Sequence, residues 1–443
     1  MTVSRRAFLA FQGAAIGAAF VPGRLVAEVA ARTEPAPKLG DWPSVRALFR
    51  LAPEYRHFSG FFIASHPTPV RQAIEAFRDA LDANPFFTVE HGMFEDEANN
   101  LQLAVCTDAA PYLGVRAQDI ALTPNTTTGL ALVYHGLPLA KGDEVLTTTH
   151  DHVVHHESIR LACERSGASW RRVPLFEDAR SAKPEAIVAR VREALRPGTR
   201  VLGITWVHSA SGIRLPVRAI ADAVAVENAK RDPAQRIRIV LDGVHGLGCS
   251  DADLTALGCD YFSGGAHKWM FAPRGTGILW AHEAAWGALR PTIPSFSEFE
   301  SYQAWMENRA PNGPTNAARV TPGGFLAYEH QWAMGAAFRL HRELGRERIA
   351  TRVAELNGRI KDGLAKLDRV KQHTPRDAAM SGGICCFEVD GMAPEAVVAK
   401  LLEKKIIAST SPYAKPYARL SAGIFNTEAE VDEALAALQA VIA

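Results

Sequence analysis

From about residue 119 the sequence alternates short apolar runs with stretches of helical spacing, a pattern that leaves few architectures open. Asp119–Thr123, Glu144–Thr148, Ser169–Val173, Arg200–Trp206 and Ile237–Leu241 read as strands, and Thr126–Leu137, His152–Arg165 and Pro216–Lys230 as helices. Such alternation implies an α/β fold built on a mainly parallel sheet with helices on both faces. Ligands of such sheets bind beyond the carboxyl ends of the strands. Chemistry is therefore to be sought in the residues that follow each strand.

The rest of the chain completes a two-domain plan. Pro291–Pro322, rich in Pro and polar residues, reads as a long irregular loop. Helical spacing returns from Phe325 to Leu367, with a strand at Gly383–Val389 and a last helix at Glu428–Ile442. A length of 443 residues accommodates a large domain at 66–330 and a smaller α+β domain at 331–443. Forty-nine Lys and Arg against 48 Asp and Glu leave no global basic field for nucleic acid. Six Cys without a CxxC pair form neither a disulfide framework nor a zinc site.

Residues 1–27 carry Arg5, Arg6 and Arg24 and no acid. The apolar run Ala7–Val21 is shorter than the ~18 or more residues that span a bilayer and reads as part of a secretory signal. Ser4-Arg5-Arg6-Ala7-Phe8-Leu9 resembles the twin-arginine export signal, an address read by a receptor and not an anchor. The expectations are engagement of the twin-arginine machinery, a periplasmic location, cleavage near Ala27 and no stable membrane anchor. Residues 28–65, with Pro35-Ala36-Pro37, read as a linker and a segment packing near the site.

The most informative stretch runs from Ile239 to Trp280. One strand ends in Asp242 and continues as Gly243-Val244-His245-Gly246. The next leads through Ser263-Gly264-Gly265-Ala266 to His267-Lys268-Trp269. A strand-end Asp or a Lys alone is commonplace. A carboxylate ending one strand and a lysine ending the next, both in Gly-rich surroundings, is what pyridoxal phosphate chemistry requires. The lysine forms a Schiff base with the aldehyde, and the carboxylate keeps the pyridine nitrogen protonated so that the ring draws in electrons. A charge-assisted bond of that kind contributes about 1.5–3 kcal/mol.

These motifs resemble the class V aminotransferase family, including its isopenicillin N epimerase-like branch, from about residue 60 to the end. The resemblance implies a fold type I pyridoxal phosphate enzyme with a mainly parallel seven-stranded sheet, a smaller C-terminal domain and a homodimer with a shared active site. It implies Lys268 as the Schiff-base lysine preceded by His267, Asp242 as the pyridine-nitrogen partner, and His245 near the ring hydroxyl or substrate. Thr126 and Thr127, in Thr123-Pro124-Asn125-Thr126-Thr127-Thr128-Gly129, fall where the family binds the phosphate, at a helix start that already favours anions. His152 falls where a ring stacks on the pyridine and can relay a proton. His152, His155 and His156 lie a helical turn apart, but no closed ligand set accompanies them, so no metal is expected. Ser209 falls near the position that bonds the ring hydroxyl. Thr321, in Val320-Thr321-Pro322-Gly323, resembles a hydroxyl donated to the other subunit's phosphate, with Thr276 a second candidate. Arg419 resembles the arginine that binds the substrate carboxylate bidentately.

A desulfurase would carry a nucleophilic Cys shortly before that arginine, and no Cys follows Cys386. The expectation is therefore aminotransferase-like chemistry on an amino acid or an amino-acid-derived, peptidic substrate, with Lys268, His152 and Asp242 as the catalytic residues. Epimerisation or elimination at the same site is the alternative, and a non-catalytic cofactor-binding protein is the rival from another class.

Overall fold

The structure is a computed structural model and describes residues 39–94 and 100–443. The export-like stretch of residues 1–27 lies outside the described residues. Seven strands form the main sheet: β1 (Ile120–Thr123), β2 (Glu144–Thr148), β3 (Ser169–Val173), β4 (Thr199–Thr205), β5 (Arg238–Asp242), β6 (Tyr261–Gly265) and β7 (Gly277–Ala281). Their order across the sheet is β3-β2-β4-β5-β6-β7-β1. Strands β2 to β6 are parallel, and β7 runs antiparallel to both β6 and β1.

Helices cover both faces of the sheet, which is largely buried except at its edge strand β3. These are α1 (Thr68–Ala83), α2 (Leu101–Leu113), α3 (Thr126–Gly136), α4 (Val153–Ser166), α5 (Pro184–Ala194) and α6 (Val217–Asn228). Successive strand side chains point to opposite faces. Leu146, Leu202, Ile239 and Leu241 accordingly join one core with Val105, Ile220 and Val224. Val145, Val201 and Val240 join the other with Leu130, Val133 and Ile159. Where helix and sheet approach closely the sequence supplies glycine. A Cβ on Gly129 of α3 would lie 2.1 Å from Ser263 Oγ, and one on Gly243 would lie 1.9 Å from the Phe262 ring.

The helical stretch after residue 325 is two helices, α7 (Tyr328–Leu344) and α8 (Arg346–Leu364). They break at Gly345, whose φ of 85° a side chain would resist. The boundary expected at 330/331 therefore falls inside α7, whose Tyr328, Trp332, Met334 and Phe338 pack in the large-domain core. The second, smaller sheet and the helices that cover it follow Gly345 in the chain. That sheet, β8 (Val370–Gln372), β9 (Cys385–Val389), β10 (Ser409–Thr410) and β11 (Ala418–Leu420), is antiparallel in the order β10-β11-β9-β8. Helices α8, α9 (Pro394–Glu403) and α10 (Glu428–Ile442) cover it around Leu356, Ile360, Phe387, Val431 and Leu438. A capping box between Thr427 and Glu430 starts α10.

Two further departures concern connections. The stretch Pro291–Pro322 holds short helices at Phe299–Met306 and Ala317–Val320, each started by a side-chain cap, from Glu298 and Asn316. The N-terminal segment joins both domains. Arg56–His57 pairs in parallel with Ile406–Ile407, while Phe49 and Phe61 pack with Trp269, Phe271 and Phe425.

Candidate active site

The loops after β1, β2, β4, β5 and β6 converge with β11 of the small domain on a cavity of about 380 Å³. Thr126, Thr127, His152, Ser209, Asp242, His245, His267, Lys268 and Arg419 all line it. Sheet order explains the convergence. Strands β2, β4, β5 and β6 are consecutive parallel neighbours, so their carboxyl ends deliver side chains to one rim.

Asp242 ends β5 with the carboxylate buried, and Val244 N–H donates to its Oδ1 at 3.1 Å. Burial raises its pKa, with the backbone bond and nearby Lys268 opposing. Such a carboxylate is suited to a cationic N–H partner. Lys268 follows β6. Burial brings its amine down to about 8, with Asp242 opposing and Arg419 reinforcing the fall. Its Nζ lies 3.3 Å from His245 Nε2. His245 is held well below the usual imidazole range by burial and by the charges of Lys268, Arg419 and His152.

His152 is placed by its neighbour. The Asp151 carboxylate Oδ2 accepts from Thr147 Oγ1, Thr148 N and Thr148 Oγ1, each at 2.8 Å, which tightens the turn after β2. His152 then caps α4, with Nδ1 accepting from Val154 N at 3.3 Å. Burial lowers its pKa, with Asp242 opposing. The start of α3 turns toward the cavity: Asn125 caps Thr128 N, and as first-turn residues Thr126 and Thr127 have N–H groups without an intrahelical acceptor. Thr126 Oγ1 accepts from Gly265 N at 2.7 Å, which ties α3 to the end of β6. His267 Nδ1 bonds Thr276 O at 3.1 Å, so Nδ1 carries a proton, and His267 can donate at Nε2 only as the imidazolium.

Arg419 reaches the cavity from β11. Its Nε donates to Ser409 Oγ (3.2 Å), Nη2 to Thr410 O (2.9 Å) and Nη1 to Ser209 O (3.1 Å). The Phe61 ring lies 4.8 Å from its Cζ. Ser209 Oγ is engaged by Tyr413 OH at 2.8 Å.

Thr276 and Thr321, expected to reach the other subunit's phosphate, do not line this chain's own cavity. Thr276 is buried outside the cavity, its hydroxyl donating to Pro273 O at 2.5 Å; it reaches the site only through the carbonyl that holds His267. Thr321 is buried beside β1, where its hydroxyl accepts from Leu122 N (3.2 Å) and donates to Ala317 O (3.0 Å). With its one proton on Ala317, Thr321 has none for a phosphate in this arrangement. Among residues without an expected role, Tyr413 stands out. It lines the cavity, lies edge-on to His152 (centroids 5.9 Å apart), and burial pushes its phenol up to about 12. The only signal for it in the sequence is an aromatic among Ser, Thr and Pro at Ala408–Lys415.

The donor set fits pyridoxal phosphate: helix-start N–H groups for an anion, an amine for an aldehyde, and a buried carboxylate for a protonated ring nitrogen. Fold and site together define a fold type I pyridoxal phosphate enzyme. The chain belongs to the Aminotransferase class-V family, whose sequence profile matches residues 64–434. Isopenicillin N epimerase of Streptomyces clavuligerus is 26% identical over 91% of this chain and 99% of that protein, and that of Amycolatopsis lactamdurans 27% over 74% and 82%. A probable cysteine desulfurase of Xylella fastidiosa is 25% identical over 91% and 96%. Among solved structures, C-DES with glycine covalently linked to its PLP cofactor superposes with a TM-score of 0.76 at 23% identity, covering 89% of this chain and 98% of that one. The apo cysteine desulfurase from Thermococcus onnurineus NA1 does so at 0.76 and 19%, covering 90% and 98%. Both share the fold.

Proposed function

We propose that the protein is an aminotransferase acting on an amino group beside a carboxylate, with Lys268 as the cofactor-bearing lysine and the proton-transferring base. The observation that carries this reading is the meeting of Lys268, Asp242 and Arg419 in one cavity. Thr126 and Thr127 would hold the phosphate, Asp242 the ring nitrogen and His152 the ring face. When bound, pyridoxal phosphate withdraws electrons from the bonds of the amino-bearing carbon. Arg419 orients the substrate by its carboxylate. Lys268 Nζ, with a pKa of about 8, takes the proton from that carbon and gives it up again near neutral pH. Phe61, Phe62 and Ile63 wall the cavity and limit water.

Where the proton returns decides the product. Similarity to isopenicillin N epimerases supports a second reading, in which it returns to the same carbon with inversion. Incubating holoenzyme with a panel of amino acids separates the readings. Transamination converts the visible spectrum to that of the pyridoxamine form and yields a keto acid. In deuterium oxide, epimerisation exchanges the α-hydrogen for deuterium and inverts configuration with no keto acid. Failure of every donor to do either, with colour retained, would leave elimination at the same site or a non-catalytic cofactor-binding protein.

Two wider proposals accompany this. The Arg5-Arg6 motif supports export by the twin-arginine route, which Arg5→Lys/Arg6→Lys should block in fractionation. An exposed apolar surface including Phe86, Trp305 and Phe325, beside a cavity of about 590 Å³ lined by Met93, Phe296 and Tyr328, supports a homodimer.

A further inference from the structure

Trp269 follows Lys268 directly, and its ring is buried. The indole Nε1–H donates to His245 Nδ1 at 3.4 Å, and the other nitrogen of that ring, Nε2, faces Lys268 Nζ at 3.3 Å. We propose that Trp269 is a positioning residue that fixes His245 in its Nε2–H tautomer and thereby favours the neutral amine of Lys268 over its ammonium form.

The argument is donor and acceptor accounting. An indole nitrogen only donates, so His245 Nδ1 presents its lone pair. His245 is neutral, because it is buried and the Arg419 cation opposes its protonation. A neutral imidazole carries one ring proton, which leaves it on Nε2, aimed at Nζ. An ammonium has three N–H groups and no lone pair, so it cannot accept that bond. The free amine can. A one-way chain from Trp269 through His245 to Lys268 therefore disfavours the charged lysine.

The other groups facing Nζ do not reverse this. Asp242, from the end of β5, favours the ammonium, and Arg419, from β11, opposes it. His152, at the start of α4, and His267, beside Lys268 itself, each have their protonation opposed by the lysine's charge. The neutral amine is the form that attacks an aldehyde. The chain thus raises the share of nucleophilic amine at neutral pH before the cofactor arrives. Sequence offers only the adjacency of Trp269 to Lys268; the link through His245 exists once the loops after β5 and β6 meet.

The purpose assigned to the chain rests on the reading of Lys268 as the cofactor lysine; its direction does not. The test uses full-length, cofactor-free protein. Modification of Lys268 by trinitrobenzenesulfonate, located by peptide mass analysis, is followed against pH. The wild-type midpoint is expected near 8. Trp269→Phe keeps an aromatic ring and removes the N–H, and should raise the midpoint by about one pH unit, an approximately tenfold loss of amine at neutral pH. An unchanged or lower midpoint overturns the proposal. If Trp269→Phe does not fold, ¹⁵N-histidine-labelled wild type supplies the answer, with the His245 signals assigned by their loss in His245→Gln. The Nε2–H tautomer supports the proposal; an Nδ1–H tautomer or a doubly protonated ring at neutral pH overturns it. Borohydride reduction of holoenzyme is run alongside. A pyridoxyl label on Lys268 with the wrong tautomer sinks only this inference, whereas a label absent from Lys268 sinks the functional reading.

Discussion

Replacing Arg419 with lysine separates the two tasks that its geometry combines. The guanidinium is 3% exposed and makes three bonds, to Ser409 Oγ, Thr410 O and Ser209 O. The first two stay within the small sheet, and the third crosses to the loop after β4 in the large domain. Of five N–H groups these bonds use three, leaving one on each Nη for a carboxylate in the cavity. Lysine keeps the charge but loses the fork. A hydrogen bond to a charged group contributes ~1.5–3 kcal/mol, and the ammonium retains part of two such bonds, so the net loss is ~2–3 kcal/mol. That corresponds to a fall of roughly 30- to 150-fold in kcat/KM. The assay compares an amino acid donor with its decarboxylated amine. The amino acid should lose the full factor, and the amine should stay within about threefold because it never used the fork. Equal losses on both would show Arg419 to be an interdomain strut alone, and the assignment of the substrate carboxylate would fail. Thermal unfolding of the same variant reports the strut separately.

Three other perturbations follow from the structure. Tyr413 forms part of the wall between the site cavity and an outer groove of about 840 Å³; Tyr413→Ala should raise KM for small donors more than Tyr413→Phe, and equal KM values for the two would refute that wall. His341 is fully buried between Tyr112 and Phe271, and burial lowers its pKa from 6.5 to about 3. The unfolded chain binds the extra proton between those values, so the stability it contributes is complete above pH 6.5 and lost as pH falls toward 3, by up to about 5 kcal/mol; His341→Phe should flatten Tm against pH there, and an unaltered slope would contradict it. Phe325 is 79% exposed within the apolar surface, so Phe325→Glu should shift sedimentation toward monomer, and a persistent dimer would move the interface elsewhere.

The sequence was most legible where one local rule decided the outcome. The strands Glu144–Thr148 and Ser169–Val173 and the helix Glu428–Ile442 have their expected bounds: the first strand is buried throughout, a Thr427 capping box starts the helix, and Ser169–Val173, a half-exposed edge strand, is bounded by the Gly167 that ends α4 and by Pro174. Helices α1, α5 and α9 were not anticipated, although each has Pro in its first turn, a recognised start signal. The small sheet's β10 and β11 were invisible as strands, since two or three residues carry no periodicity and exist only through pairing. At the site, residues next to strand ends could be anticipated because topology sends them to one rim. Thr321 and Thr276 could not be judged, because their roles depend on where a hydroxyl proton goes, to Ala317 O and Pro273 O. Tyr413 lay in a loop whose partner, Ser209, is 204 residues away.

The family includes cysteine desulfurases of the same fold, so the thiols bear on the chemistry. Persulfide formation needs an accessible thiolate. All six Cys are buried, and burial pushes Cys106, Cys385 and Cys386 up to about 12 and Cys163 and Cys249 up to about 11. None lines the cavity. Cys249, in the loop after β5, turns its Sγ back onto the His245 carbonyl at 2.8 Å. The loop that precedes Arg419 instead brings in a phenol that stays protonated well above neutral pH and grips Ser209. A group of that kind donates a hydrogen bond and does not attack sulfur. Among the described residues, the cavity wall before Arg419 thus carries a phenol and no thiol.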